Sequence, residues 1–354
     1  MITPDDLRAA VGSGLLSETQ AVSLAALADS RRGARTDLAP GDEPFELFKG
    51  FNEIFIVVGL GILAFGWLAV NSVTMATEFV NYRIHVSTSA AIGAGVIWLL
   101  SEYFIRIRRM VAPAIFLSML FGANATAGLS AYFAEPFMIA QKDLSSLPLA
   151  LGLSTVTLAI YWLRFKVPFA MALIALGLFA LAMIVAADQS GIPTEFGDLF
   201  LLSANGPFAW VTLLVGLGVF AVAMYFDLSD PHRVTRRSAQ GFWLHVVAAP
   251  ALVNTVALSL MARDTTSADA MLLAVLLGFT LIAIIIDRRS FLIAAIGYIV
   301  ALAGTVFDGE GAAMTILLLG LFLVVLGAFW ARIRAVLLSL FSGVLPLHRL
   351  PPSH

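Results

Sequence analysis

From about residue 54 to residue 331 the chain alternates between long apolar runs and short polar segments. A helix needs roughly 20 apolar residues to cross about 30 Å of hydrocarbon. Ten runs approach or reach that length: about 54–77, 86–103, 111–133, 146–163, 167–187, 207–226, 241–262, 269–286, 290–307 and 312–331. The eighth and ninth are short, but Asp287, Arg288 and Arg289 divide what would otherwise be one run too long to cross once. The pattern predicts an all-α integral membrane protein with ten transmembrane helices.

The first 52 residues follow a different grammar. "TPDDLRAAVGSG" places Thr3 as N-cap, Pro4 at the first helical position, Asp6 in a capping box, and Gly12 and Gly14 as the stop. "SETQAVSLAALADSRRG" repeats the device with Ser17, Gln20 and Gly33. Leu7, Val11, Leu15, Val22, Leu24 and Leu27 give the pair an apolar side. Some 30 residues cannot bury enough surface to fold alone, so this hairpin is expected to dock on the bundle or on a protein partner. The domain reading is therefore a helical hairpin over 1–33, a linker and interfacial helix start over 34–52, the ten-span bundle over 53–332, and a tail over 333–354.

Composition strengthens the membrane reading. Of 354 residues, 60% are hydrophobic and 12% charged, too few charges to cover a water-soluble surface. The net charge of −2 gives no footprint for nucleic acid. With no cysteine, disulfides, thiolate metal sites, iron–sulfur clusters and cysteine nucleophiles are excluded. With the N-terminus inside, the inner segments hold all but three of the 21 lysines and arginines; Arg83, Lys142 and Arg263 are the outer ones. The positive-inside rule thus predicts ten spans with both termini cytoplasmic. Arg108, Arg109, Arg236, Arg237, Arg288 and Arg289 are accordingly expected to anchor lipid headgroups.

"GLLSETQA" (14–21), in a capped helix pair followed by a linker and a long multi-span region, resembles uncharacterised bacterial inner-membrane proteins that carry a short N-terminal helical domain of unknown function. The likeness covers mainly residues 1–70. It implies a multi-pass protein of the bacterial inner membrane, and brings neither an activity nor functional residues.

"GAGVIWLLSEYF" (93–104) and "GLGVFAVAMYF" (216–226) end the second and sixth spans alike. Arg108-Arg109 and Arg236-Arg237 follow them, and Asn124 and Asn254 lie at similar depth in the next spans. Spans 2–5 and 6–9 thus suggest a parallel repeat, one of the building plans of transporters.

Ionisable residues inside the bilayer are the usual markers of a site, and mid-membrane ones are nearly absent. Glu102 sits one turn before Arg106, an i,i+4 pair at the inner boundary. Asp188, Asp227 and Asp287 are assigned to loops. This argues against a proton-coupled antiporter or an intramembrane aspartyl protease. His232 and His245 are too few for a metal site, and His85 is at the wrong depth to share a haem. A pairing of His245 with Ser238 or Ser259 lacks an elbow or oxyanion hole. No catalytic residue, metal or cofactor is expected. The remaining candidates for a pathway or polar spot are Asn124, His245, Pro250 and Asn254. Pro250 frees a backbone carbonyl one turn back, which must find a partner in lipid, and the two asparagines are expected to point inward together.

Three function classes fit. A permease or channel for a neutral or weakly polar solute suits the size and the kinked polar helix. A non-transporting scaffold or sensor subunit suits the docked hairpin and short loops. A lipid-acting enzyme rests on His245 beside basic residues alone. Membrane lipids are expected partners in every case.

Overall fold

A computed structural model describes residues 4–17, 20, 21, 24, 51–77, 82–288 (except 136, 137, 142, 194, 205, 232, 234, 235 and 264), 317, 320, 321, 324–341, 343, 347, 350 and 351. Among them there is no strand. The helices are α1 (Pro4–Gly12), α2 (Phe51–Thr77), α3 (Tyr82–Ser101), α4 (Ala112–Phe133), α5 (Leu147–Phe165), α6 (Phe169–Ser190), α7 (Phe208–Ser229), α8 (Arg236–Met261), α9 (Thr266–Ile286) and α10 (Trp330–Leu340). A π-helical turn, Glu102–Ile107, extends α3.

Seven helices, α2 to α8, are long and apolar enough to cross a membrane. α9 is a further apolar helix over Ala270–Ile286. The expected ninth run, 290–307, lies outside the described residues, as do nine of the 20 residues of the tenth, 312–331. The outward faces fit lipid rather than water. Phe55, Ile62, Phe65 and Leu68 of α2 are all exposed, a contiguous apolar surface that a soluble protein would not present. The chain is an all-α, multi-pass membrane protein.

α8 is the most buried span. It packs on α7, α6 and α9, while α4 packs on α3, α5, α6 and α2. Lipid tails are as apolar as leucine, so helices associate through close packing of small residues and interhelical hydrogen bonds. The α3–α4 contact shows both. A Cβ on Gly93 would come within 2.8 Å of Asn124 Oδ1, and one on Gly128 would overlap the Ala90 side chain. Asn124 Nδ2 donates to the Ala90 carbonyl at 2.6 Å. Below it, Trp98, Phe121, Tyr161 and Phe165 pack ring on ring, with Ser101 Oγ and Tyr161 Oη 2.7 Å apart.

Among the described residues, four non-glycine residues have left-handed φ: Arg109 (54°), Lys166 (53°), Arg233 (52°) and Asp287 (56°). Such values are uncommon outside glycine. Arg109 and Arg233 stand at the same distance before the next helix, which starts at Ala112 and Arg236 respectively. Lys166 and Asp287 are the C-caps of α5 and α9, the fourth and eighth spans. The unusual conformations thus stand at similar places after the second and sixth runs and after the fourth and eighth.

At the N-terminus, α1 ends with Gly14 in the left-handed region at φ 73°. Ser17 and Gln20 exchange reciprocal bonds, Gln20 N–H to Ser17 Oγ at 3.2 Å and Ser17 N–H to Gln20 Oε1 at 3.0 Å, the geometry of a capping box.

Candidate functional site

Among the described residues, the arginine–carboxylate pairs gather at one end of the bundle, the end that carries the basic turns. The sequence patterns that place it there are the short polar segments closing α3, α5, α7 and α9. Two acid–arginine groups form there, one buried and one open.

The buried group begins with Asp227 in the last turn of α7. α8 presents Gly241 to it, where a Cβ would overlap Asp227 Oδ1; only glycine lets the two helices close on that carboxylate. Arg288 forks onto Asp227, with Nε 3.0 Å from Oδ2 and Nη2 2.5 Å from Oδ1. Its Nη2 also donates to the Ser238 carbonyl at 2.9 Å. His245 Nε2 lies 2.9 Å from Asp227 Oδ2. His245 and Arg288 are both fully buried. A planar guanidinium matches a carboxylate with two parallel bonds, the strong form of such a pair.

One turn away, Arg233 Nη1 pairs with Asp287 Oδ2 at 3.0 Å, and Trp330 Nε1 donates to Asp287 Oδ1 at 2.7 Å. The last carbonyls of a helix have no partner within it, and here arginines supply the partners. Arg233 Nη2 reaches the Ile286 and Asp287 carbonyls at 3.1 and 2.7 Å. Arg334 Nε reaches the Ile284 carbonyl at 3.2 Å, and its Nη2 reaches Pro351 at 2.6 Å. Burial pulls the Arg334 guanidinium below its ordinary range and Asp287 opposes this; an arginine stays cationic all the same. Cations at a helix C-terminus also meet the negative end of its dipole. α10 and the α7–α8 turn are thereby tied to the end of α9.

The open group is Glu102 with Arg106 and Arg164. Arg106 Nη1 donates to Oε2 at 3.0 Å and Arg164 Nε to Oε1 at 2.7 Å. Beside it lies a cavity of about 430 Å³ lined by Ile105, Arg106, Arg109, Arg164, Phe165, Lys166 and Arg236. Another buried carboxylate, Glu53, accepts from the Val111 and Ala112 amides at 3.3 and 2.9 Å. It thereby caps the positive N-terminus of α4.

The structure corrects several expectations. Asp188 and Asp227 are not loop residues but belong to α6 and α7, and Asp287 stands at the C-cap of α9; Asp227 and Asp287 are buried. Arg288 is not a headgroup anchor, because its guanidinium is consumed by Asp227. Arg108, Arg109, Arg236 and Arg237 are exposed, and Arg289 lies outside the described residues. Asn124 and Asn254 do not form a shared inward spot. Asn124 is turned to α3, α6 lies between α4 and α8, and Asn254 is half-buried with no hydrogen-bond partner among the described residues. Pro250 is exposed on the outer side of α8 rather than packed against protein.

His245 is the one pathway candidate found in a polar cluster, and its partner is a carboxylate. A nucleophile is missing from this pair: Ser238 borders Arg288, and Ser259 is far along α8, bonded to the Phe200 carbonyl and the Leu202 amide. The lipid-acting enzyme reading has no support in this geometry. Among the described residues no group of three or more His, Asp or Glu could hold a metal ion. The signal missed in the sequence was the acid beside two of the basic turns, since arginines alone satisfy the inside rule and Asp227 and Asp287 need another reason.

Over residues 24–132, under a third of the chain, the sequence matches a family model described as Ammonium Transporter Family. This part is therefore similar to a recognised membrane transporter family rather than to a domain of unknown function. The matched stretch contains α2, α3, α4 and the Glu102–Arg109 turn; the buried cluster lies beyond it. No curated protein and no solved structure matches the chain.

Proposed function

We propose that the chain is a permease or channel-like membrane transporter and that its solute is ammonium. The observation that carries this reading is the family match over residues 24–132. The test uses the full chain in sealed proteoliposomes. Labelled methylammonium uptake above that of empty vesicles, reduced by added ammonium, is the supporting result. Flux equal to that of empty vesicles overturns the reading.

A second reading, a non-transporting scaffold or sensor subunit, is favoured by the dry Asn124–Ala90 bond. An amide engaged by a neighbouring helix is spent on packing rather than on a solute. Co-purification of a stoichiometric partner from native membranes, with no methylammonium flux, would select this reading.

The orientation proposed with either reading puts the arginine-rich end in the cytoplasm of a bacterial inner membrane, both termini included. The chain has no cysteine, so single cysteines report cleanly. Labelling from outside at Ser145→Cys and Gly309→Cys, and none at Ser30→Cys or Ser353→Cys, is expected. Outer labelling at position 30 reverses it.

A further inference from the structure

We infer that the basic cavity between the α3, α5 and α8 ends is a binding site for a phosphate-bearing anion, of which an anionic phospholipid headgroup is the bilayer source and free phosphate the aqueous one. The inference is independent of the transport reading.

Five cationic side chains, Arg106, Arg109, Arg164, Lys166 and Arg236, converge on one cavity of about 430 Å³ from three separate segments. Among the described residues, no acidic side chain lines it. Glu102 engages Arg106 and Arg164 by one bond each, and each guanidinium carries five donors, so both keep donors for a ligand. Arg109 and Arg236, both exposed, complete the arc. Lys166 Nζ rests 4.5 Å from the centre of the Trp162 ring, which holds the ammonium at the cavity edge.

Topology alone does not account for this arrangement. The inside rule counts arginines near a boundary and is indifferent to where they point. Here cations from three turns share one concavity, where mutual repulsion opposes their approach unless an anion joins them. Guanidinium forks match phosphate oxygens in a bidentate manner and remain charged at any working pH. Basic pockets between spans at the charged face of a membrane suit anionic headgroups. The contrast with the other half supports the assignment. There the corresponding arginine, Arg288, is neutralised internally by Asp227, and α10 fills the space around the α9 end. Around α5 the cations instead border an open cavity.

The experiment measures lipid retention by the full chain in detergent by native mass spectrometry. The added probes are phosphatidylglycerol, phosphatidylcholine, or inorganic phosphate with either lipid. Phosphatidylglycerol should bind at least about tenfold more tightly than phosphatidylcholine, as expected for several phosphate contacts. The triple variant Arg109→Gln/Lys166→Gln/Arg236→Gln should lose most of that preference. Arg332→Gln, an exposed cation on α10, should keep it. Displacement of phosphatidylglycerol by millimolar phosphate would identify free phosphate as a competent ligand; no displacement assigns the site to the lipid. Equal binding of both lipids by the native chain, together with no phosphate adduct, overturns the proposal without recourse to a variant. So does an equal loss in the Arg332 variant, which would reduce the effect to general surface charge.

Discussion

Glu102–Arg164 and Asp227–Arg288 stand at corresponding places in the two halves: each joins the end of one span to the end of the span two further on. In the first half the side chains are 27% and 43% exposed; in the second, 6% and 0%. The same pairing therefore has two physical meanings. In the first half water competes for both ions, and the pair can open to admit a ligand at little cost. In the second half each ion depends on the other, and removal of either leaves an uncompensated buried charge. Gly241 makes the difference at the helix level, because it brings α8 onto Asp227. α10 makes it at the level of the fold, through Trp330 and Arg334. One half is fastened and the other is left accessible.

The largest effect should come from cutting the fastened pair. Arg288→Gln is expected to destabilise the folded chain by about 3–5 kcal/mol, the range for breaking a buried pair. Thermal unfolding of the detergent-solubilised protein would report it. The double variant Asp227→Leu/Arg288→Met should lose less than either single change, since no lone charge remains. A double variant worse than both singles would break the comparison.

The next effect concerns the contact between α10 and the α9 cap. Trp330→Phe keeps an aromatic ring, a smaller one, and removes the donor to Asp287. Leaving part of a buried carboxylate unsatisfied costs about 1–3 kcal/mol. Protease access to the 341–354 segment should rise with it. Unchanged stability would mean that Arg233 alone satisfies Asp287.

A smaller effect belongs to the first half. Asn124→Ala removes the interhelical bond to Ala90, worth about 1 kcal/mol in membrane helices. Methylammonium flux should be unchanged, because the amide faces α3 and no shared polar spot exists. A loss of flux with intact stability would return Asn124 to a solute path.

How much of this was legible follows from the same physics. Span length and charge spacing gave α2 to α8, because the bilayer sets helix length and excludes charge regardless of tertiary packing. "GAGVIWLLSEYF" and "GLGVFAVAMYF" resemble each other because both end a span at the same boundary. Helix rotation was not legible. In a soluble helix the polar face reveals the phase, whereas in a span the polar residues, such as Gln240, His245, Asn254 and Ser259 of α8, do not by themselves say which side faces protein. Pro250 and Asn254 could therefore be assigned to the interior when Pro250 in fact faces outward. The Asp227–Arg288 pair joins residues 61 apart in sequence, and only packing reveals that they meet.

The smallest effect tests the open half directly. Glu102→Gln keeps the shape of the side chain and removes its charge, so Arg106 and Arg164 lose a screened partner but remain solvated. The thermal midpoint should stay within measurement error of the native value, in contrast to Arg288→Gln. Binding at the cavity should respond in the opposite direction to stability-damaging variants. Without the carboxylate the two guanidiniums turn all their donors to the cavity and local positive charge rises, so phosphatidylglycerol retention should increase. Higher salt should shrink that gain, since exposed charges are screened within about 10 Å at 0.1 M ionic strength. A marked fall in stability for Glu102→Gln would show that the first half is fastened as tightly as the second, and the distinction between the halves would fail.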